Sequence, residues 1–142
     1  MEKIKLSLVY QALDMISQDC RVFIDLTKNE VVEIYEFMDE EEKEEMYIEI
    51  DNNRDNYLSL PEQYEMDGYN RMVRFIYSLE NVEHRNKLLY TIQGKGAFRR
   101  FKDSLIMLDI RHSWFEFERN ELIELAKEIL EENQIDYIDD LS

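Results

Sequence analysis

The chain has 142 residues, 44% of them hydrophobic and 12% aromatic, which is enough for one domain with its own core and too apolar for a disordered polymer. Its 33 Asp and Glu outnumber 17 Lys and Arg, and a net charge of −16 argues against general affinity for nucleic acid or anionic membranes. The lone cysteine, Cys20, excludes an internal disulfide and points to a reducing compartment, and no window approaches the ~20 apolar residues of a membrane span.

Met1-Glu2-Lys3-Ile4-Lys5 leads into a patterned segment and not into the apolar core of a signal peptide, so a cytoplasmic protein is expected. Leu6, Val9, Leu13 and Ile16 recur at helical steps and predict an amphipathic helix over 6–17, with Ser7 as its N-cap. The period then changes to two. Arg21 to Asp25 and Val31 to Tyr35 are rich in β-branched and aromatic residues, and Thr27-Lys28-Asn29-Glu30 supplies turn chemistry, Asn29 tolerating positive φ. This is a β-hairpin, one face of which needs a helix to cover it.

The acidic run 39–45 suits the positive end of a helix dipole and is read as the exposed start of a helix with Met46, Tyr47 and Ile50 as its apolar edge. Residues 51–55 read as a loop and Tyr57-Leu58-Ser59-Leu60 as a short extended piece stopped by Pro61. Tyr69, Met72, Val73, Ile76 and Leu79 mark a helix over 66–80, and Leu88, Leu89 and Ile92 mark another that ends on Gly94 as a C-terminal cap. A further helix after Gly96 is expected to turn Ala97, Phe98, Phe101, Leu105 and Leu108 inward. Trp114, Phe115 and Phe117 precede a last helix over 117–133, and the acidic tail 136–142 is expected to fray. The fold class is α+β: an N-terminal helix and a β-hairpin or small antiparallel sheet packed with a majority of helices, in a single domain over 1–142.

One stretch departs from the acidic background. Gly94-Lys95-Gly96-Ala97-Phe98-Arg99-Arg100-Phe101-Lys102 contains four basic residues, two of the three glycines and no acid. A glycine turn before a helix leaves backbone N–H groups free, and Lys95, Arg99, Arg100 and Lys102 add charge around them, so an anion or an acidic partner could bind there. The stretch fits neither a P-loop nor a dinucleotide fingerprint. The bland alternative is a helix–turn–helix corner whose basic groups pair with nearby carboxylates.

Other patterns carry less. Asp51, Asn53, Asp55, Tyr57, Ser59 and Glu62 stand at the liganding positions of a twelve-residue calcium loop. Asn56 replaces the glycine of the sharp turn, Pro61 precedes the glutamate, and 63–68 lacks an apolar face, so the stretch reads as a solvated loop. His84 and His112 have no ligand-type neighbour at zinc spacing, Cys20 reads as core, and 33 acids are too many to single out an acid/base pair. No metal, cofactor or catalytic residue is assigned.

Taken together, Gly94 to Asp103, then Trp114-Phe115-Glu116-Phe117 and Ala126, resemble the signature of the bacterial uncharacterised protein family 0158. Tyr57-Leu58-Ser59-Leu60-Pro61 and the helix with Met72, Phe75 and Ile76 resemble it as well. The resemblance implies no established activity. It gives weight to a binding role for Lys95, Arg99 and Arg100 and none to calcium. The functional expectation is a binding or regulatory module with its site at Gly94, Lys95, Gly96, Arg99, Arg100 and Lys102. The alternatives are an enzyme clamping a phosphorylated substrate with Arg99 or Arg100, and an acidic nucleic-acid mimic occupying a basic protein.

Overall fold

The computed structural model describes residues 2–142 and is α+β. Its contacts divide the chain into two compact units, one formed by 1–66 with 122–142 and one by 67–121.

The first unit holds the sheet. Strands β2 (Cys20–Asp25) and β3 (Glu30–Tyr35) form the expected hairpin, with Cys20 opposite Tyr35 and Asp25 opposite Glu30. Asn29 takes φ 52° in the turn, and Asp25 Oδ1 accepts from the Thr27 N–H at 2.9 Å and its hydroxyl at 2.6 Å. Strand β4 (Tyr57–Ser59) pairs antiparallel with the other edge of β2, giving the order β3-β2-β4. Helix α2 (Glu40–Asn52) opens on three glutamates, as the dipole favours, and buries Ile50 against Phe23 and Ile34. It runs to Asn52, where the sequence suggested a loop, and a 3-10 turn at Arg54–Asn56 leads into β4.

Helix α1 (Leu6–Asp14) is shorter than its periodicity implied. Ser7 is not its N-cap. Lys5 holds that position in extended conformation, and Ser7, inside the first turn, gives its N–H (2.9 Å) and its hydroxyl (2.5 Å) to the Asp140 carboxylate. The stretch 136–142, expected to fray, thus supplies a capping acid. It also contains β5 (Tyr137–Ile138), parallel to β1 (Ile4–Lys5). Leu6, Val9, Ala12 and Leu13 pack with Val22, Ile24 and Leu58 of the sheet and with Leu122, Ala126 and Leu130.

The second unit is helical. Helices α3 (Gly68–Ser78), α4 (Val82–Thr91) and α5 (Ala97–Met107) gather with the start of α6 (Arg111–Glu132) around Phe75. The Phe75 ring meets Trp114 at 5.3 Å, Phe117 at 5.5 Å and Phe101 at 6.1 Å between centroids, all edge-to-face. Three sequence expectations need correcting here. The last helix begins at Arg111 and not near Phe117, so Trp114 is a helical core residue while Phe115 is half-exposed beneath Arg111. Phe98 is 50% exposed and not in the core: α5 turns Ala97, Phe101, Ser104 and Leu105 inward, so its buried face is rotated from the stripe of large residues. Gly94 lies beyond the C-cap of α4, which is Ile92.

Candidate functional site

The corner between α4 and α5 is built on two left-handed glycines, Gly94 at φ 77° and Gly96 at φ 78°. They reverse the chain within a few residues, and Gly96 becomes the N-cap of α5. A Cβ at Gly94 would meet no atom within 4 Å, whereas one at Gly96 would come to 2.9 Å from Arg100 Nη1. Only the second glycine is therefore required for space as well as for conformation.

Arg100 explains that close approach. One turn into α5, its guanidinium folds back across the corner. Nε donates to the Thr91 carbonyl at 2.9 Å, Nη2 to the Gln93 carbonyl at 2.5 Å, and Nη1 to the Lys95 carbonyl. The end of a helix leaves carbonyls without N–H partners and a partial negative charge. A planar fork of five donors can satisfy several at once, which a lysine cannot. The sequence offered two uses for this arginine, an external anion or an internal carboxylate. The partners it takes are backbone carbonyls.

The remaining cations behave differently. Lys95, Arg99 and Lys102 are exposed, and their side chains make no ion pair or hydrogen bond among the described residues. Arg99 and Lys102 stand three apart on α5 and so neighbour each other on its surface. The first turn of α5 has no side-chain cap, so its N–H groups face the same end of the helix. Phe98 lies over Gly68, where a Cβ would meet its ring at 2.9 Å, and this holds the first turn of α5 to α3. The arrangement is a turn fixed from behind by Arg100 and fringed by uncommitted positive charge. It can attract and orient an anion.

The other sequence candidates are dispersed. Asp51 closes α2, Arg54 to Asn56 form the 3-10 turn, Tyr57 and Ser59 enter β4, and Glu62 pairs with Arg21 at 3.2 Å. Among the described residues no group of three or more His, Cys, Asp or Glu is placed to hold a metal ion. His112 contacts Glu116 at 3.1 Å on one helix face, and His84 gives its backbone N–H to the Asn81 cap. Cys20 is buried, which pushes its thiol up and away from the activated thiolate range. No helix is long and apolar enough to cross a membrane among the described residues.

Sequence reasoning missed how charge is distributed between the units. Residues 67–121 carry ten Lys and Arg against eight Asp and Glu, while the rest of the chain carries seven against twenty-five. The basic corner thus belongs to a unit of net charge +2, and the acidity of the chain, −18, lies in the other. Counting charge along the chain could have found this, had the unit boundary been visible.

The fold and corner define an α+β protein with a basic glycine turn between two helices. The chain belongs to the Uncharacterised protein family (UPF0158), whose model matches residues 4–142. Searches of the curated proteins and of the solved structures found no match.

Proposed function

We propose that this is a soluble bacterial, cytoplasmic binding module whose corner at 94–103 receives an anionic group of a partner. Lys95, Arg99 and Lys102 are the contact residues, while Gly94, Gly96 and Arg100 build the turn that presents them. The observation that carries this reading is the division of labour among the basic residues: one is spent on backbone carbonyls and three are exposed without a protein partner. Leaving three cations uncommitted in a chain with 33 acids is what a surface reserved for an outside anion requires. The enzyme alternative calls for a phosphate clamp by Arg99 or Arg100, and with Arg100 turned to backbone carbonyls Arg99 is the arginine left for that role.

The test is a titration of the labelled protein with inorganic phosphate and with polyglutamate, following the backbone amides of residues 94–103. Shifts there that weaken as salt is raised, and that vanish when Lys95, Arg99 and Lys102 are all changed to Glu, support the reading. Absence of shifts with both anions refutes it.

A second reading is favoured by the acidic unit. Glu41, Glu42, Glu44 and Glu45 are exposed on α2, whose one lysine, Lys43, turns to Glu36 and Glu40. A row of unpaired carboxylates suits a nucleic-acid mimic that covers a basic protein. Changing the four glutamates to Gln should then abolish salt-sensitive binding to a basic nucleic-acid-binding protein. Unchanged binding excludes this use of α2.

A further inference from the structure

The acidic unit contains a cleft whose chemistry runs against its surroundings. Its volume is about 400 Å³, and it lies between β2, α2 and β4. The floor is apolar: Phe23 and Ile50 are 4% and 8% exposed. Two tyrosines line it. Tyr47 meets Phe23 edge-to-face at 6.3 Å, and Tyr57 enters from β4. Two of the seven basic residues of this unit, Arg21 and Arg54, face the same space.

Neither arginine is saturated. The Arg21 guanidinium lies over the Phe23 ring at 4.9 Å. Its Nε is buried 3.2 Å from Glu62 Oε1, a charge contact that lacks hydrogen-bond alignment. It gives no hydrogen bond to the protein among the described residues, so the Nη groups are available. Arg54 is 81% exposed at its side chain, and its ion-pair partner among the described residues is Asp51, at 3.8 Å. Asp51 also lines the cleft and limits how much negative charge can enter.

We infer that this cleft is a binding site for a nucleoside monophosphate, with the base against Tyr47 and Tyr57 over the Phe23–Ile50 floor and the phosphate between Arg21 and Arg54. Ligand sites of this size are mostly apolar, with a few converging polar groups that set orientation. Phosphate alone would leave the aromatic walls and floor unused. A triphosphate would bring more charge than two arginines already beside Asp51 and Glu62 can balance. Guanidinium forks suit the phosphate oxygens, and a flat base can stack on tyrosine. The Tyr57 hydroxyl donates to Glu49 Oε1 at 3.5 Å, burial and Glu49 push its pKa up, and its oxygen can still accept a hydrogen bond from the ligand. This site is independent of the corner at 94–103, and neither proposal needs the other.

The test uses the full chain, labelled for amide detection, with adenosine 5′-monophosphate as probe and with adenosine and inorganic phosphate as its separated halves. The expected result is saturable shifts at residues 47, 54, 57 and 59, each half binding more weakly than the whole. Arg54→Ala, at an exposed position that the fold tolerates, should weaken binding about tenfold through loss of a charge-assisted bond. Arg21→Lys, which keeps the charge and loses the fork, should weaken it too. No shift at these residues with the nucleotide at about 10 mM, a level that would reveal even millimolar affinity, overturns the inference. So does an Arg54→Ala variant that binds unchanged, phosphate alone matching the nucleotide, or shifts centred on 94–103.

Discussion

Arg99 and Arg100 are adjacent in sequence and opposite in fate. One lies free on α5, and the other ties the Thr91, Gln93 and Lys95 carbonyls together. Arg100→Ala should therefore cost about 1–3 kcal/mol, the range for a partly exposed charged donor serving several acceptors, and Arg100→Lys should recover little of it. Arg99→Ala should change stability by no more than about 0.5 kcal/mol. Urea denaturation of the three variants decides this, and equal losses at both positions would contradict the assigned roles. The glycines give a second comparison. Gly94→Ala meets only the backbone penalty of a left-handed residue, about 1–2 kcal/mol. Gly96→Ala meets the same penalty and also a Cβ at 2.9 Å from Arg100 Nη1. That atom ends a flexible side chain, so the clash is relieved by surrendering the carbonyl contacts. Gly96→Ala should be the more harmful of the two, and the difference should disappear in an Arg100→Ala background.

Among the elements, what was legible in the sequence was what local periodicity controls. The hairpin is declared by period-two patterning and by Asn29, and α3 by Met72, Val73 and Ile76 at helical steps. The rest depended on partners far along the chain. Strand β1 has two residues and a parallel mate at Tyr137–Ile138, so no local pattern announces it. Phe98 looked like core because it is large, yet small Ala97 and Ser104 are inside and let α5 approach its neighbours closely. The corner's location was visible, but Arg100's role was not, since backbone carbonyls leave no mark in composition. The Ser7–Asp140 contact is another such long-range device, and it makes α1 pH-sensitive. The Ser7 hydroxyl and N–H hold the Asp140 carboxyl below the usual carboxylate range. A depressed folded-state pKa means that the contact contributes fully above the unfolded value, about 4, and is lost as pH falls through the lower folded value. The Ser7 amide resonance should follow that titration, and Ser7→Ala should move the Asp140 midpoint upward. An Asp140 midpoint at the ordinary carboxylate value in the unaltered protein would refute the contact. In the helical unit the matching device is the aromatic cluster. Phe75→Ala removes the ring that Phe101, Trp114 and Phe117 share, and should cost about 3–5 kcal/mol by denaturant titration.

For the whole molecule, the net charge of −16 conceals two opposite electrostatic situations. Residues 1–66 and 122–142 hold twenty-five acids and seven bases, and folding that unit crowds like charges together. Residues 67–121 are close to balance, and their clearest ion pair is attractive: Arg74 reaches Glu121 through Nε at 2.9 Å and Nη2 at 3.1 Å, and Glu121 holds the arginine's pKa up. Salt screens both kinds of interaction, the Debye length falling from roughly 30 Å at 0.01 M to roughly 3 Å at 1 M. Screening should stabilise the acidic unit by relieving repulsion, and should leave the helical unit unchanged or slightly weakened by loosening the Arg74–Glu121 pair. Hydrogen exchange resolved by residue separates the two. Protection of the β2 and β3 amides should rise severalfold from low to moderate sodium chloride, while that of α4 and α5 stays level or falls. A parallel rise in both units would mean that salt acts by strengthening apolar burial throughout, and that the charge segregation has no energetic consequence. If the responses diverge, the basic corner sits in the one unit that can carry uncommitted cations without internal carboxylates quenching them, which is the condition its proposed use requires.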